Sequence, residues 1–296
     1  MRRTLRELIV SLRLVRFAPV LVLVFLGCRA QSPPSDDSLV VRDRPMVILY
    51  AFTPEGAQLR EWAMIRTDTM FAGRRVAVGF LGMDVVIASS GMGMTNAAAM
   101  TQHVIDTYDP IGIIFTGIAG AISEKHQIGD IVIPDRWITQ DYGYYGKTGL
   151  LTDSLLVGNP DSIGFARMLD IPVDTALHRQ LVAAANSIAF RFRTVARRLP
   201  DVHAGGVGVS GNAFIDSKSK RTQLQTDLAA EIVDMESAAV VQTAHASGVP
   251  VVVVRSCSDL AGGSGYETAT EEIEEFFKVA ANNSALVVKQ FLEMEW

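Results

Sequence analysis

The sequence predicts an α/β fold, namely a three-layer α/β/α sandwich built on a central mixed sheet. Continuous apolar runs such as 46–51 and 251–254 have the length and composition of strands that are covered on both faces. Segments with helical periodicity alternate with these runs, and no domain break interrupts the alternation. Because ligands of such sheets bind beyond the strand ends, chemistry is expected in the loops at those ends.

The elements follow in order from residue 46. After the first strand, Thr53 is predicted to cap a helix and Pro54 to lie in its first turn. The predicted strands are 46–51, 74–80, 84–89, 111–115, 130–133, 207–209, 232–233 and 249–255. The predicted helices are 96–108, 236–247, 271–293 and, as one helix or two, 175–198. Gly82 is expected to lie in the turn of a hairpin formed by the second and third strands.

Composition and charge restrict the classes of function. With 49% apolar and 20% charged residues, the 296-residue chain has enough apolar material for one large core. Its formal net charge is −5, and it becomes −9 if residues 1–27, with five arginines and one glutamate, are removed. An acidic chain lacks the basic face that nucleic-acid binding requires, so no nucleic-acid partner is predicted.

The N-terminus has the layout of a secretory signal. Basic residues precede an apolar run, 17–27, which is shorter than the roughly 20 residues of a membrane-spanning helix. Leu26-Gly27-Cys28 resembles a bacterial lipobox, in which the cysteine is lipidated, although Phe25 is bulkier than the usual residue there. We expect export to the periplasm or cell envelope and a lipid anchor on Cys28. A plain signal, an uncleaved anchor and a misassigned start codon remain alternatives.

The resulting organisation has three regions. They are a signal peptide at 1–27, a flexible polar tether at 28–44 and one folded domain at 45–296. With Cys28 lipidated, Cys257 has no disulfide partner and is expected to be a small buried residue. The five histidines show no recognisable metal-ligand spacing, so no metal or cofactor is predicted.

Two glycine-bearing segments follow predicted strands. Ser90-Gly91-Met92-Gly93 opens a helix, and closely spaced glycines there let a backbone approach a ligand. It lacks the third glycine of the dinucleotide fingerprint, and such a segment is more often a plain turn. Residues 116–120, Thr-Gly-Ile-Ala-Gly, are expected to end the strand 111–115, where small residues also serve packing alone.

Two further segments carry charges at strand ends. The segment Asp234-Met235-Glu236 has a structural explanation, in which Asp234 caps a helix and Glu236 lies at its positive end. The Glu236 carboxylate suits the binding of two vicinal ribose hydroxyls equally well. Arg255-Ser256-Cys257-Ser258-Asp259 ends a buried strand in polar groups, which is costly unless they are paired or functional. The plain alternative is that Asp259 caps a helix and that Arg255 is its ion-pair partner. We favour a functional site over that alternative.

Together these segments resemble the nucleoside phosphorylase/nucleosidase superfamily, especially its methylthioadenosine/S-adenosylhomocysteine nucleosidase branch and the related secreted, plant storage-protein-like members. The matching segments are 129–133, 210–215, 234–239, 255–263 and Glu55 after the first strand. The resemblance runs from Val47 to the last helix. It implies a phosphorylase/hydrolase-like fold, a homodimer, and an enzyme that hydrolyses a purine nucleoside and releases adenine without a cofactor.

The resemblance also implies catalytic roles. Glu55 corresponds to the carboxylate that deprotonates the attacking water, with Ser90 and Arg255 holding water and carboxylate. Asp259, supported by Ser258, would donate a proton toward N7 of the base. Cleavage through an oxocarbenium-like state needs this division, because the leaving base must be protonated while the general base is ionised.

Substrate-binding roles are implied in the same way. Phe214 would stack on the purine, and the Ile215 backbone would read its edge near Gly120. Met235 would pack against the ribose, whose 2′- and 3′-hydroxyls would bind Glu236.

Water is predicted as the nucleophile. Phosphorylases of this superfamily hold phosphate with arginines, one of them at a position that is Phe115 here, while Ile118 replaces a phosphate-binding hydroxyl. A phosphate-dependent phosphorylase and a non-catalytic, storage-like nucleoside-binding protein remain alternatives. Asn212 replaces a common Asp, and residues 146–200 and 259–273 are longer than in compact nucleosidases, so the 5′ substituent of the substrate stays open.

Overall fold

The computed structural model describes residues 44–147, 149–195, 198–263 and 268–295. Its strands are β1 Met46–Tyr50, β2 Met64–Phe71, β3 Arg74–Leu81, β4 Met83–Ser89, β5 Gly112–Ala121, β6 Ile131–Ile133, β7 Arg136–Thr139, β8 Gly143–Gly146, β9 Gly149–Thr152, β10 Leu155–Gly158, β11 Phe165–Met168, β12 Ile171–Pro172, β13 Val202–Ala204, β14 Val207–Ser210, β15 Ala230–Asp234 and β16 Val251–Asp259. Its α-helices are α1 Thr53–Trp62, α2 Met94–Tyr108, α3 Thr175–Ser187, α4 Lys218–Leu228, α5 Ser237–Ala246 and α6 Ala269–Glu293. The expected signal peptide, Cys28 and the tether up to residue 43 lie outside the described residues.

A twelve-stranded mixed sheet forms the middle layer. Its main path runs β12-β7-β14-β15-β5-β1-β4-β3-β2, and β16 joins β5 to β6, which pairs in turn with β13. The strand β5 is the hub, because it pairs in parallel with β1 and β16 and antiparallel with β15. Helices α1, α3 and α6 pack together in one layer, and α2 packs on α5 in another. This arrangement agrees with the predicted three-layer sandwich.

The two central strands run further than the sequence predicts. The expected strand 111–115 continues as β5 to Ala121, and β16 continues past Arg255 to Asp259. Small residues at 117 and 120 allow this, because a Cβ there would collide with side chains that lie across β5. The Thr-Gly-Ile-Ala-Gly segment is therefore strand rather than turn, and its glycines make room for polar side chains.

Other differences concern boundaries and short elements. Phe52, not Thr53, is the N-cap of α1, and Thr53 and Pro54 lie in the first turn. The helix predicted over 175–198 ends at Ser187 and is followed by a 3₁₀ turn at Ala189–Arg191. The strands β2 and β7 to β13 and the helix α4 were not predicted. The hairpin is confirmed, since Leu81 pairs with Met83 around Gly82.

The main core lies between the sheet centre and the two helical layers. Side chains of β1, β4, β5 and β16 form one buried cluster with α3, α5 and the second half of α6. In the part of the chain that is described, no helix is both long and apolar enough to cross a membrane. The core places the carboxyl ends of β1, β4, β5 and β16 around one region, where the polar residues collect.

Candidate active site

Glu55 and Asp259, 204 positions apart in the sequence, both lie against β5. An oxygen of Glu55 accepts a hydrogen bond from the Ile118 backbone N–H at 2.9 Å. Asp259, the last residue of β16, pairs with Gly120, and a Cβ on Gly120 would stand 2.8 Å from its Oδ1. The two contact points on β5 are two residues apart, about 7 Å along an extended strand. The fold thus brings the two predicted catalytic carboxylates to one edge of the sheet.

Glu55 is buried among donors. Its Oε2 accepts from the backbone N–H of Ala51 at 2.7 Å and of Phe52 at 3.3 Å. Its Oε1 lies 4.0 Å from Nη1 of Arg255. Burial raises the pKa of Glu55, while Arg255 and the backbone donors act in the opposite direction. The contacts therefore favour the ionised carboxylate against the effect of burial.

Arg255 is fully buried and held from three sides. Nε donates to Asp234 at 2.9 Å, Nη2 donates to Ser237 at 3.0 Å, and the guanidinium lies 4.0 Å from the centre of the Phe115 ring. Among the described residues, its Nη1 has no hydrogen-bond partner. A buried donor that points toward the Glu55 carboxylate is suited to hold a small polar molecule such as water.

Asp234 organises the adjacent turn. It accepts hydrogen bonds from the backbone N–H groups of Glu236 and Ser237, both at 3.1 Å, and so holds the start of α5, although the N-cap residue is Glu236. It also pairs with Arg255, so the plain alternative, in which Asp259 is the ion-pair partner of Arg255, is wrong. Sequence reasoning missed this second role of Asp234, because nothing in its spacing points to a strand end 21 residues away.

Glu236 lies beside the loop between β4 and α2. Its Oε1 accepts a hydrogen bond from the Gly93 backbone N–H at 2.7 Å. Burial and the neighbouring Asp234 carboxylate raise the pKa of Glu236 to about 7. The same loop is tied to the 210–215 segment, since Asn212 Oδ1 accepts from the Met94 N–H at 3.1 Å. Two of the predicted binding segments therefore meet at Glu236.

Asp259 has different surroundings from Glu55. It is 1% exposed, Ser258 Oγ donates to its Oδ2 at 2.9 Å, and the Ala261 N–H donates to its Oδ1 at 2.8 Å. Burial raises the pKa of Asp259 to about 6; the two donors oppose this rise, and the acidic Glu272 and Asp216 add to it. The site thus shifts Asp259 toward the protonated form, which predominates below about pH 6.

The residues predicted to hold the base share one pocket with Asp259. It is lined by Gly120, Ala213, Phe214, Ile215, Val233, Asp234, Met235 and Asp259. Its volume of about 20 Å³ holds no more than about one water molecule. A purine is far larger than this volume, so the residues that line the pocket must move apart before a base can enter. Phe214, one of them, is 45% exposed.

Ser90 is buried at the end of β4, but it is not joined to the catalytic pair. Its hydroxyl donates to the Gly91 carbonyl at 3.0 Å rather than to Glu55. Its N–H binds the Tyr50 carbonyl at 2.7 Å and so extends the pairing of β4 with β1. The observed role of Ser90 is structural, and its predicted role in holding water stays a prediction.

Comparisons with known proteins identify the family of the chain. A family model described as the phosphorylase superfamily matches residues 45–293. The 5′-methylthioadenosine/S-adenosylhomocysteine nucleosidase of Marinomonas sp. is 31% identical over 249 residues, covering 83% of this chain and 97% of the relative. The protein of the same name from Exiguobacterium sp. is 33% identical over 251 residues, covering 81% and 94%.

Solved structures share the fold. The nucleosidase of Neisseria meningitidis in complex with methylthio-immucillin-A superposes with a TM-score of 0.68 at 24% identity, covering 85% of this chain and 99% of that one. Futalosine hydrolase of Helicobacter pylori gives 0.69 at 22% identity, covering 84% and 97%.

The comparisons confirm the predicted fold class, family and enzyme class, N-glycosyl hydrolase, while the resemblance to secreted plant-type members stays a prediction. The chain belongs to the phosphorylase superfamily, in which it is similar to the 5′-methylthioadenosine/S-adenosylhomocysteine nucleosidases.

Proposed function

We propose that this protein hydrolyses the N-glycosidic bond of a purine nucleoside of the 5′-methylthioadenosine/S-adenosylhomocysteine type and releases adenine. The observation that carries the proposal is a pair of buried carboxylates, Glu55 of α1 and Asp259 of β16, which lie against β5 in opposite surroundings. Glu55 has a guanidinium and three backbone N–H groups around it, whereas the charged neighbours that act on Asp259 are acidic. One group is thereby suited to accept a proton and the other to donate one.

In the proposed reaction, ionised Glu55 takes a proton from a water molecule that Arg255 Nη1 holds beside it. The water oxygen bonds to C1′ of the ribose as the C1′–N9 bond breaks through an oxocarbenium-like state. Protonated Asp259 gives its proton to N7, so the base leaves as neutral adenine. Glu236 accepts hydrogen bonds from the 2′- and 3′-hydroxyls, Met235 packs on the sugar, and Phe214 stacks on the base.

Water rather than phosphate is the proposed nucleophile. Phe115 occupies the position of a phosphate-binding arginine, and its ring packs against the guanidinium of Arg255. Two of the three nitrogens of that guanidinium already donate to Asp234 and Ser237. The one remaining guanidinium nitrogen, Nη1, suits a water molecule better than a phosphate dianion, which requires several strong donors.

The test is a panel of methylthioadenosine, S-adenosylhomocysteine, adenosine and inosine, incubated with and without phosphate. We expect adenine and a free ribosyl sugar from the thioethers without phosphate, and a large loss of activity in Asp259→Asn. The exposed Asp227→Asn on α4 is the matched control. Ribose-1-phosphate formed only with phosphate would indicate a phosphorylase. Binding without turnover, unchanged in Asp259→Asn, would indicate a nucleoside-binding protein.

We further propose that the protein is exported, anchored through a lipid on Cys28 and homodimeric. The basic and apolar segments before Cys28 and the family resemblance support these proposals. Expression of the full chain in a bacterium tests the anchor: wild type should partition with membranes, and Cys28→Ser should not. Light scattering of the purified protein tests the dimer, and a monomeric mass at micromolar concentration would contradict it.

A further inference from the structure

His126, Asp130 and His203 form a cluster that the proposed reaction does not use. His126 and Asp130 lie in the turn before β6, and His203 lies on β13, which pairs with β6. One nitrogen of each histidine and one carboxylate oxygen of Asp130 lie within 4.8 Å of one another. The two imidazole rings meet edge to face, with their centres 4.4 Å apart.

A contact with the Glu231 carboxylate fixes the orientation of the His126 ring. Its Nε2 lies 2.7 Å from a carboxylate oxygen of Glu231, which also binds Lys125 at 2.8 Å. Its Nδ1 is buried and, within the described part of the chain, has no hydrogen-bond partner. A histidine that ligates a metal characteristically donates its other ring N–H to a carboxylate. His126 therefore has the second contact of a metal ligand and a buried nitrogen without a hydrogen-bond partner among the described residues.

Asp130 presents one oxygen to the cluster. Its Oδ1 accepts hydrogen bonds from Arg198 and from the Asp201 N–H at 2.9 Å. Its Oδ2 accepts from the Gln127 N–H at 2.9 Å and lies 3.3 Å from His203 Nε2. The distance between Asp130 Oδ2 and His203 Nε2 is longer than the roughly 2.7–2.9 Å typical of charge-assisted hydrogen bonds. It equals the distance of about 3.3 Å that separates two ligand atoms of a tetrahedral Zn²⁺.

We propose that His126 Nδ1, His203 Nε2 and Asp130 Oδ2 bind a divalent transition-metal ion of the Zn²⁺ class. Two imidazoles and one carboxylate favour such an ion over Mg²⁺ or Ca²⁺, which prefer oxygen ligands. A cavity of about 540 Å³, lined in part by His126, Gln127 and Arg198, gives the ion an entry path and a fourth position for water. His126 closes the site by approaching the other two ligands by at most about 1.5 Å.

The bound ion would restrain β16, the strand that ends at Asp259. The Gly129 N–H donates to the Cys257 carbonyl at 2.7 Å, and the Cys257 N–H donates to the Asp130 carbonyl at 2.9 Å. A metal that joins the turn before β6 to β13 therefore restrains β16 two residues before Asp259. This site is independent of the proposed hydrolysis, since its ligands take no part in that reaction.

Zn²⁺ binding to the full chain, prepared without a histidine tag and stripped with EDTA, tests the proposal. Titration in competition with a chromophoric chelator should give one Zn²⁺ per chain. Free Zn²⁺ at 100 times its Kd should raise Tm by about 5–10 °C. A chain that binds less than one equivalent, or gains no thermal stability, would overturn the proposal.

Variants separate this site from other histidines. His203→Ala should weaken Zn²⁺ binding at least about 100-fold, and Glu231→Gln should weaken it about 10–100-fold. His245→Ala, on α5 and outside the cluster, should bind like wild type. Equal affinity in wild type and His203→Ala overturns the proposal. If His203→Ala does not fold, the visible spectrum of the Co²⁺-loaded wild type tests the proposal instead. An intense band supports a tetrahedral site with two nitrogen ligands and one carboxylate oxygen, and a weak octahedral spectrum refutes it.

Discussion

Glu55 on α1 and Asp259 on β16 are both buried carboxyl groups that lie against β5, yet the charges around them differ in sign. Glu55 lies beside Arg255 and accepts three backbone hydrogen bonds, all of which stabilise its charge. Asp259 accepts two hydrogen bonds, and its charged neighbours Glu272 and Asp216 destabilise its charge. Burial alone raises both pKa values, so the difference between the two groups comes from the charges and donors placed around them.

In the proposed mechanism, this difference lets the residues around one strand support acid and base chemistry at a single pH. The proposed base is held by groups fixed by secondary structure, namely the first turn of α1 and the strand β5. The proposed acid depends on a serine, one backbone N–H and the carboxylates of Glu272 and Asp216.

The largest effects are expected from neutral isosteres of the two carboxylates. Glu55→Gln and Asp259→Asn should each lower kcat by about 10²–10⁴, the usual contribution of one general acid or base. Steady-state adenine release from methylthioadenosine measures both. Equal activity of either variant and wild type would remove that residue from the mechanism.

A substrate that needs no acid distinguishes the two variants. A 4-nitrophenyl riboside releases a stable phenolate, so its hydrolysis does not depend on protonation of the leaving group. Asp259→Asn should recover most of its lost activity on this substrate, whereas Glu55→Gln should not. Recovery in both variants, or in neither, would contradict the assignment of acid and base.

The two glycines on β5 provide a matched pair of steric changes. A Cβ on Gly117 would lie 2.2 Å from both Arg255 Nη1 and Glu55 Oε1, and a Cβ on Gly120 would lie 2.8 Å from Asp259 Oδ1. Each Gly→Ala change should cost about 1–3 kcal/mol in the free energy of unfolding, with Gly117→Ala the larger. Urea denaturation measures both.

Gly158→Ala is the control for this pair, because its Cβ would meet only Ala246 at an ordinary 3.4 Å. Its free energy of unfolding should stay within about 0.5 kcal/mol of wild type. If Gly117→Ala is as stable as Gly158→Ala, Glu55 and Arg255 do not lie as closely over β5 as the structure has them.

The sequence predicted the sheet and its main strands, because buried apolar runs are local signals. Glu236 and Asp259 follow such runs, whereas Glu55 and Phe214 were assigned only through the family resemblance. The extension of β5 through Gly117 and Gly120 was not predictable, since a run of small residues indicates a turn until the side chains above it are known. The pairing of Asp234 with Arg255 likewise depends on which strands become neighbours.

The cluster of His126, Asp130 and His203 could not be predicted from the spacing of residues in the sequence. Asp130 and His203 are 73 residues apart and meet only because β6 pairs with β13. The strand β6 was predicted, but β13 has only three residues, too few for periodicity to identify it. Sequence spacing therefore gave no metal ligands, although three potential ligands lie together in the fold.

The pH dependence of wild type should follow from the same two environments. Asp259 must be protonated to act, so kcat/KM should fall tenfold per pH unit above about 6. Glu55 must be ionised, so kcat/KM should also fall at low pH, with a limb above the ordinary range of a glutamate because burial raises its pKa. In Asp259→Asn the alkaline limb should vanish; its survival would assign that limb to another group.

The smallest expected effect comes from Asp216→Asn. Asp216 is exposed, accepts hydrogen bonds from Ala269 and Thr270 at the start of α6, and raises the pKa of Asp259 through its charge. Removing that charge should move the alkaline limb of kcat/KM to lower pH by roughly 0.2–0.5 units at low salt, and by less at high salt, where exposed charges are screened. A limb that moves to higher pH would show that hydrogen bonding at α6, not charge, links Asp216 to Asp259. Asp227→Asn, which removes an equally exposed charge on α4, should leave the limb in place and so isolates the electrostatic effect on the acid side.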